Sequence, residues 1–276
     1  MSREPVDLQC DNIPVRGTCA LCRAFTDLRD SHLLPKSLYR FVRRTSVGGG
    51  GSPIIVTPEA VWSTDTQVTR HLLCGACEQR FHQNGEDWTL RQVYRGDGSF
   101  KLLETLKRLR PMGETAQAKV YDVADVPEID TAKLAYFGVS VFWRAAAKAW
   151  AVGEVTLQTL DFGPVYAEAL RTYLLGQTEF PQNIVITATV CDAPNLAAAT
   201  LALPTGGRVE GYHKYFFAVP GIAFHLLIGK AIPDLMRHVC LASGAHRVIL
   251  LNNYEQMLAD SFFAKMRTAK VSRKLR

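Results

Sequence analysis

No stretch of this sequence is apolar for long enough to cross a bilayer. The most apolar candidate, around Leu134 to Trp143, runs ten residues before Arg144 and then Lys148 interrupt it, about half of what a spanning helix needs. Tyr215 to Gly229 is longer but contains Pro220, Gly221 and His225 and reads as a hairpin. The opening MSREPVDLQC lacks the apolar core of a signal peptide. The expectation is therefore a cytoplasmic protein with no membrane partner. The seven cysteines are an odd number and do not suggest a secreted disulfide framework. The C-terminal half has no Gly-rich phosphate loop between strand and helix and no nucleophile elbow. No internal repeat occurs, and the only low-complexity tract is Gly48-Gly49-Gly50-Gly51.

What is present is an ordinary globular composition, 47% apolar, in 276 residues. That is enough for one large domain or two smaller ones. Pro111 and Gly113 mark a boundary near residue 114, which divides the chain into 1–114 and 115–276. In the first part, Pro35 suits the first turn of a helix reaching about Arg44. Ile54 to Thr57 and Val68 to Leu73 read as short strands, and a helix follows to about Gly85. In the second part, Thr131 to Trp150, Val165 to Leu175 and Pro233 to Ala242 read as helices. Ile184 to Cys191 and Arg247 to Leu251 read as strands, and Tyr215–Val219 with Ile222–Gly229 as a hairpin. A basic helix ends the chain. The predicted fold class is α+β.

Charge is unevenly placed. Residues 1–115 carry 16 basic and 13 acidic side chains, and residues 116–264 carry 10 and 13. The last twelve residues hold Lys265, Arg267, Lys270, Arg273, Lys274 and Arg276 with no acid. A basic start and tail around a mildly acidic middle fit a polyanion partner at one end of the molecule.

Four of the cysteines form two C-x-x-C pairs, Cys19 with Cys22 and Cys74 with Cys77. A two-residue gap lets both thiolates of a pair converge from one tight turn, and two such turns make a closed tetrahedral site for structural Zn2+. Such an ion contributes on the order of 10 kcal/mol to folding. The 51 residues between Cys22 and Cys74 must loop out and return, which leaves room for a functional insertion. Cys10, Cys191 and Cys240 stand alone.

The insertion carries Ser31-His32-Leu33-Leu34-Pro35, and His82 lies five residues beyond Cys77. CALC, SHLLP and CGACEQRFH in this order resemble the zinc-stabilised HNH endonucleases, the ββα-metal or His-Me finger group. Those read C-x-x-C, then D/H-H-I-I-P, then C-x-x-C-H-x-x-x-H. The resemblance covers about residues 19–87. It implies an N-terminal zinc-bound ββα-metal-like module with His32 as general base for attack of water on a phosphodiester. It also implies His82 as a ligand of a catalytic Mg2+ or Mn2+. The basic helix, with Lys36, Arg40, Arg43 and Arg44 on one face, would then follow the phosphate backbone of a nucleic acid, DNA in the first instance. Three positions depart from the pattern. Ser31 and Glu78 stand where metal-binding residues are usual, and the middle asparagine that orients the histidine has only Thr69 or His71 near its place. Asp30, Glu78 or Glu86 would be substitute carboxylate ligands.

The C-terminal half offers no catalytic constellation. Its expected role is targeting, effector sensing, or contact with a protein partner or a second copy. Two functions stay open from the residues: a metal-dependent HNH-type endonuclease, or a non-catalytic zinc module that binds nucleic acid or protein.

Overall fold

The computed structural model describes residues 14–45, 54–56, 61–63, 67–95, 97–152, 155–192 and 201–253. Cys10, the glycine run and the basic tail lie outside the described residues, as do the side chains of Arg43 and Arg44. The chain is α+β. Strands β1 (Arg16–Thr18) and β2 (Phe25–His32) are followed by helix α1 (Lys36–Thr45) and the hairpin β3 (Ile54–Val56) and β4 (Val61–Ser63). Then come β5 (Thr69–Cys74) and a helical run: α2 (Gly75–Phe81), a π-helical turn (His82–Glu86) and α3 (Asp87–Gln92). Helix α4 (Lys101–Arg108), strands β6 (Gly113–Glu114) and β7 (Ala118–Asp122) and helix α5 (Thr131–Ala147) complete the first half. After them come β8 (Ala151–Val152), β9 (Val155–Thr156), α6 (Gly163–Leu174), β10 (Ile184–Cys191), β11 (Leu201–Val209), β12 (Tyr212–Val219), β13 (Ile222–Ile228), α7 (Asp234–His238) and β14 (Val248–Asn252).

Two sheets organise these elements. The small one has the order β1-β2-β5 and is antiparallel. The large one has nine strands in the order β4-β3-β11-β12-β13-β10-β14-β7-β6. The segment between the two cysteine pairs does loop out, and part of it reaches far: β3 joins the large sheet parallel to β11. The boundary expected near residue 114 falls at β6, the opposite edge of that sheet, and one continuous apolar core holds residues from both sides of it.

Helix α5 lies at the centre. Every residue from Leu134 to Ala145 is buried, which is why this helix has the longest apolar run and little polar face. Asp130 caps its start by accepting from the Lys133 N–H at 2.9 Å. On one side it meets the large sheet, with Phe137 against Phe217 and Phe224 and Phe142 against Phe217. Gly138 makes this approach possible, since a Cβ there would stand 2.8 Å from the Phe224 ring. On the other side Phe81 of α2 packs edge-on against Tyr136 and Trp143. Gly85, expected to end a helix, does not. It is buried inside the π-helical turn, and a Cβ there would stand 2.8 Å from the Phe137 backbone nitrogen. Close helix contact, not chain reversal, is what needs glycine at this position.

Other differences have local causes. Helix α5 stops at Ala147, short of Trp150, because Trp150 folds back to donate its Nε1–H to the Arg144 carbonyl at 2.8 Å. Strand β2 is polar because alternate residues from Phe25 to Arg29 are exposed, as on a sheet face open to water. No helix among the described residues is long and apolar enough to cross a membrane.

His225 lies mid-strand in β13, opposite Thr187 of β10 and Phe216 of β12. Burial, with a smaller contribution from Lys214, pushes its imidazole down to about 4. Above pH ~6.5 the folded and unfolded chains both hold it neutral. As pH falls from there towards 4, the unfolded chain takes up a proton that the folded chain refuses, so stability declines by up to about 3 kcal/mol. Urea unfolding between pH 7 and 4 is expected to show this loss in wild type and a shallower one in His225→Phe.

Candidate functional site

The two C-x-x-C turns converge. Cys19, Cys22, Cys74 and Cys77 place their sulfurs within 4.8 Å of one another, and Cys22 and Cys74 are 3.8 Å apart. Four thiolates 2.3 Å from a common centre at tetrahedral angles would be about 3.8 Å apart, so the cluster can hold a metal ion. All four are free thiols rather than disulfides. Cys74 donates its backbone N–H to the Cys19 sulfur at 3.3 Å. Hydrogen bonding from Cys77, reinforced by the backbone around Cys22, Cys74 and Leu21, lowers the Cys19 thiol to about 4. The same contact pushes Cys77 the other way. A sulfur receiving several N–H groups, as Cys19 does, favours the thiolate that a metal requires.

The first cysteine turn is docked on the C-terminal half. Arg23 follows Cys22 with φ 64°, a left-handed conformation that lets the turn close. Its guanidinium pairs with Glu168 of α6, and Arg171 reaches from α6 to the Leu21 carbonyl at 2.6 Å. Arg171, and then Arg23, hold the Glu168 carboxyl below its ordinary range.

Strands β2 and β5 then set the histidine. His32 is the last residue of β2, half-buried and opposite Thr69. Its Nε2 lies 2.6 Å from Gln67 Oε1. An amide oxygen can only accept, so in this contact Nε2 is the donor and the ring is held in one orientation. Asp30 pairs with His71, and strand alternation puts both on the face shared by His32 and Thr69. Ser31 points the other way. It is buried, and its hydroxyl accepts the Leu73 N–H at 3.1 Å.

Arg144 supports this strand end from below. It is almost fully buried in α5 and donates from Nη1 to the carbonyls of His32 at 3.2 Å and Leu33 at 3.4 Å. Its Nη2 pairs with Glu86 at the end of the π-helical turn, and its guanidinium lies over the Phe81 ring. One side chain from the C-terminal half thus ties the histidine strand to the helix that follows the cysteines.

The remaining sequence-predicted residues form no second cluster of three or more metal-binding side chains among the described residues. His82 opens the π-helical turn and is exposed. Glu78 has a buried Oε1 with no hydrogen-bond partner, and Glu86 is engaged by Arg144. Among the described residues, the four cysteines form the one cluster of three or more His, Cys, Asp or Glu side chains able to share a metal ion. Lys36 and Arg40 are exposed on α1, while Leu38 and Tyr39 are buried.

Sequence reasoning missed two partners, Gln67 and Arg144. Neither has a local signal, since Gln67 precedes a strand and Arg144 looks like an interruption in an apolar run. A buried guanidinium deprived of its carboxylate is costly. Glu86→Ala is expected to lose about 3–5 kcal/mol in chemical denaturation, and Glu86→Gln, which keeps an acceptor, clearly less.

No protein family model matches the chain, and no curated protein or solved structure matches it. Its functional reading rests on the residues and geometry of this site.

Proposed function

We propose that the chain is an HNH-type endonuclease that hydrolyses phosphodiester bonds in nucleic acid, with DNA as the first candidate substrate. The observation that carries this reading is His32, held through Nε2 by Gln67 on an antiparallel strand pair that leads directly into helix α2. Strand, strand and helix follow in the order that the motif resemblance implies. Gln67 takes the orienting role that the resemblance gives to an asparagine. The cysteine cluster, read as a structural Zn2+ site, staples the helix start to the β1–β2 turn. When neutral, His32 can accept a proton at Nδ1 from a water attacking phosphorus. Lys36 and Arg40 supply exposed positive charge on the adjoining helix.

Of the residues that the resemblance and its substitutes offer a catalytic Mg2+ or Mn2+, Ser31 and Glu86 are engaged elsewhere, while Asp30 on the face of His32 and the exposed His82 remain. Ser31 is turned into the core, and Glu86 is paired with Arg144. The same observation favours a second reading, a zinc-containing nucleic-acid-binding module without catalysis.

Cleavage of supercoiled plasmid and of single strands, with added magnesium or manganese, separates the two. Wild type is expected to cleave. His32→Ala at equal zinc content is expected to lose activity at least 100-fold, and Gln67→Ala on the order of ten-fold. Binding without cleavage by wild type would select the second reading. Equal cleavage by wild type and His32→Ala would reject His32 as the base.

A further inference from the structure

Beyond the end of α3 the chain forms a cleft of about 440 Å³ that the motif resemblance does not reach. Its walls carry Arg91, Arg95, Lys101 and Arg108, with Glu104 and Glu128 as the acids. The segment 91–110 supplies most of it and holds six basic residues against two acidic ones.

The acids offset the cations only in part. Glu104 accepts the Phe100 N–H through Oε1 at 3.1 Å and so serves the start of α4. Glu128 stands 4.0 Å from Arg108, too far for a hydrogen bond. Arg91 pairs with Asp87 one turn earlier on α3, a solvent-exposed contact that a ligand can outcompete. Lys101 forms no ion pair among the described residues, and Arg95 makes no direct one, although its charge helps to hold the nearby Asp97 carboxyl below its ordinary range. Scattered surface cations are ordinary, but these four enclose one volume, where protein walls concentrate their field. The cleft is large enough for a nucleotide-sized group, and its charged lining gives an apolar ligand little to bury against.

We propose that this cleft is a phosphate-binding site, taking the backbone of a nucleic acid. Guanidinium forks and an ammonium suit phosphate oxygens. Position supports the polymer over a free nucleotide. The cleft begins at the C-terminal end of the helical run that carries His82. Arg91 lies nine residues beyond His82, about 14 Å along the axis at 1.5 Å per residue. A polymer lying along this helical run therefore spans both the cleft and His82. The proposal concerns binding and holds whether or not the chain cleaves.

The test is binding of a fluorescein-labelled duplex to the whole chain with His32→Ala, without added divalent metal, compared with the same chain carrying Arg95→Glu and Lys101→Glu. Both positions are exposed, and circular dichroism and metal content confirm that the fold is kept. The charge reversals are expected to weaken binding at least ten-fold and to reduce the slope of log K against log salt by about 2. Inorganic triphosphate is the second probe. If the reversals abolish triphosphate binding but leave duplex binding unchanged, the site is a phosphate site for a free ligand and not for the polymer. If neither ligand distinguishes the two proteins, the proposal is overturned.

Discussion

A single buried guanidinium holds the arrangement together. Arg144 sits in the last turn of α5, and its donors leave the helix towards the N-terminal module. Carbonyls at the end of a strand have no ladder partners, and a helix end in the interior exposes its own polar groups. Arg144 serves the strand end, and Glu86 neutralises it from the π-helical turn. Removing a charge from water is expensive unless it is paired and hydrogen-bonded. The geometry around this residue is therefore tightly specified, and with it the position of His32.

The cysteine cluster and α6 constrain the same module from its other end. The cysteines bring the β1–β2 turn to the start of α2, and Glu168 with Arg171 fixes that turn to the C-terminal half. The segment between the cysteine pairs contributes α1 and also an edge hairpin of the large sheet. The C-terminal half is thus part of the candidate site's scaffold. This gives those residues a physical role that does not depend on targeting or on a partner.

Local patterns in the sequence anticipated a good deal of this. The C-x-x-C spacing identified the four clustered cysteines because two residues are what one tight turn needs. Ile184–Cys191, β-branched and apolar throughout, emerges as β10 with the expected bounds because a strand buried on both faces leaves no polar gap. Features set by distant contacts were not legible. Gly85 resembles a helix stop until Phe137 is seen against it. Glu86 resembles a free carboxylate until Arg144, 58 positions away, is placed on it. Gln67 has no signature in a sequence where Thr69 and His71 stand nearer the expected position, and only the register of β2 on β5 brings it to His32.

The central claim is that α5 makes the cysteine module and the large sheet one cooperative unit. Co2+ supplied to the four cysteines would give the cluster its own absorption band, while Trp143 and Trp150 of the α5 region, together with Trp88 of α3, report on the core by fluorescence. Urea titration followed by both signals is expected to give one coincident transition. A thiolate band lost well before or well after the fluorescence change would contradict the account, because the module would then fold independently of the helix held to it by Arg144.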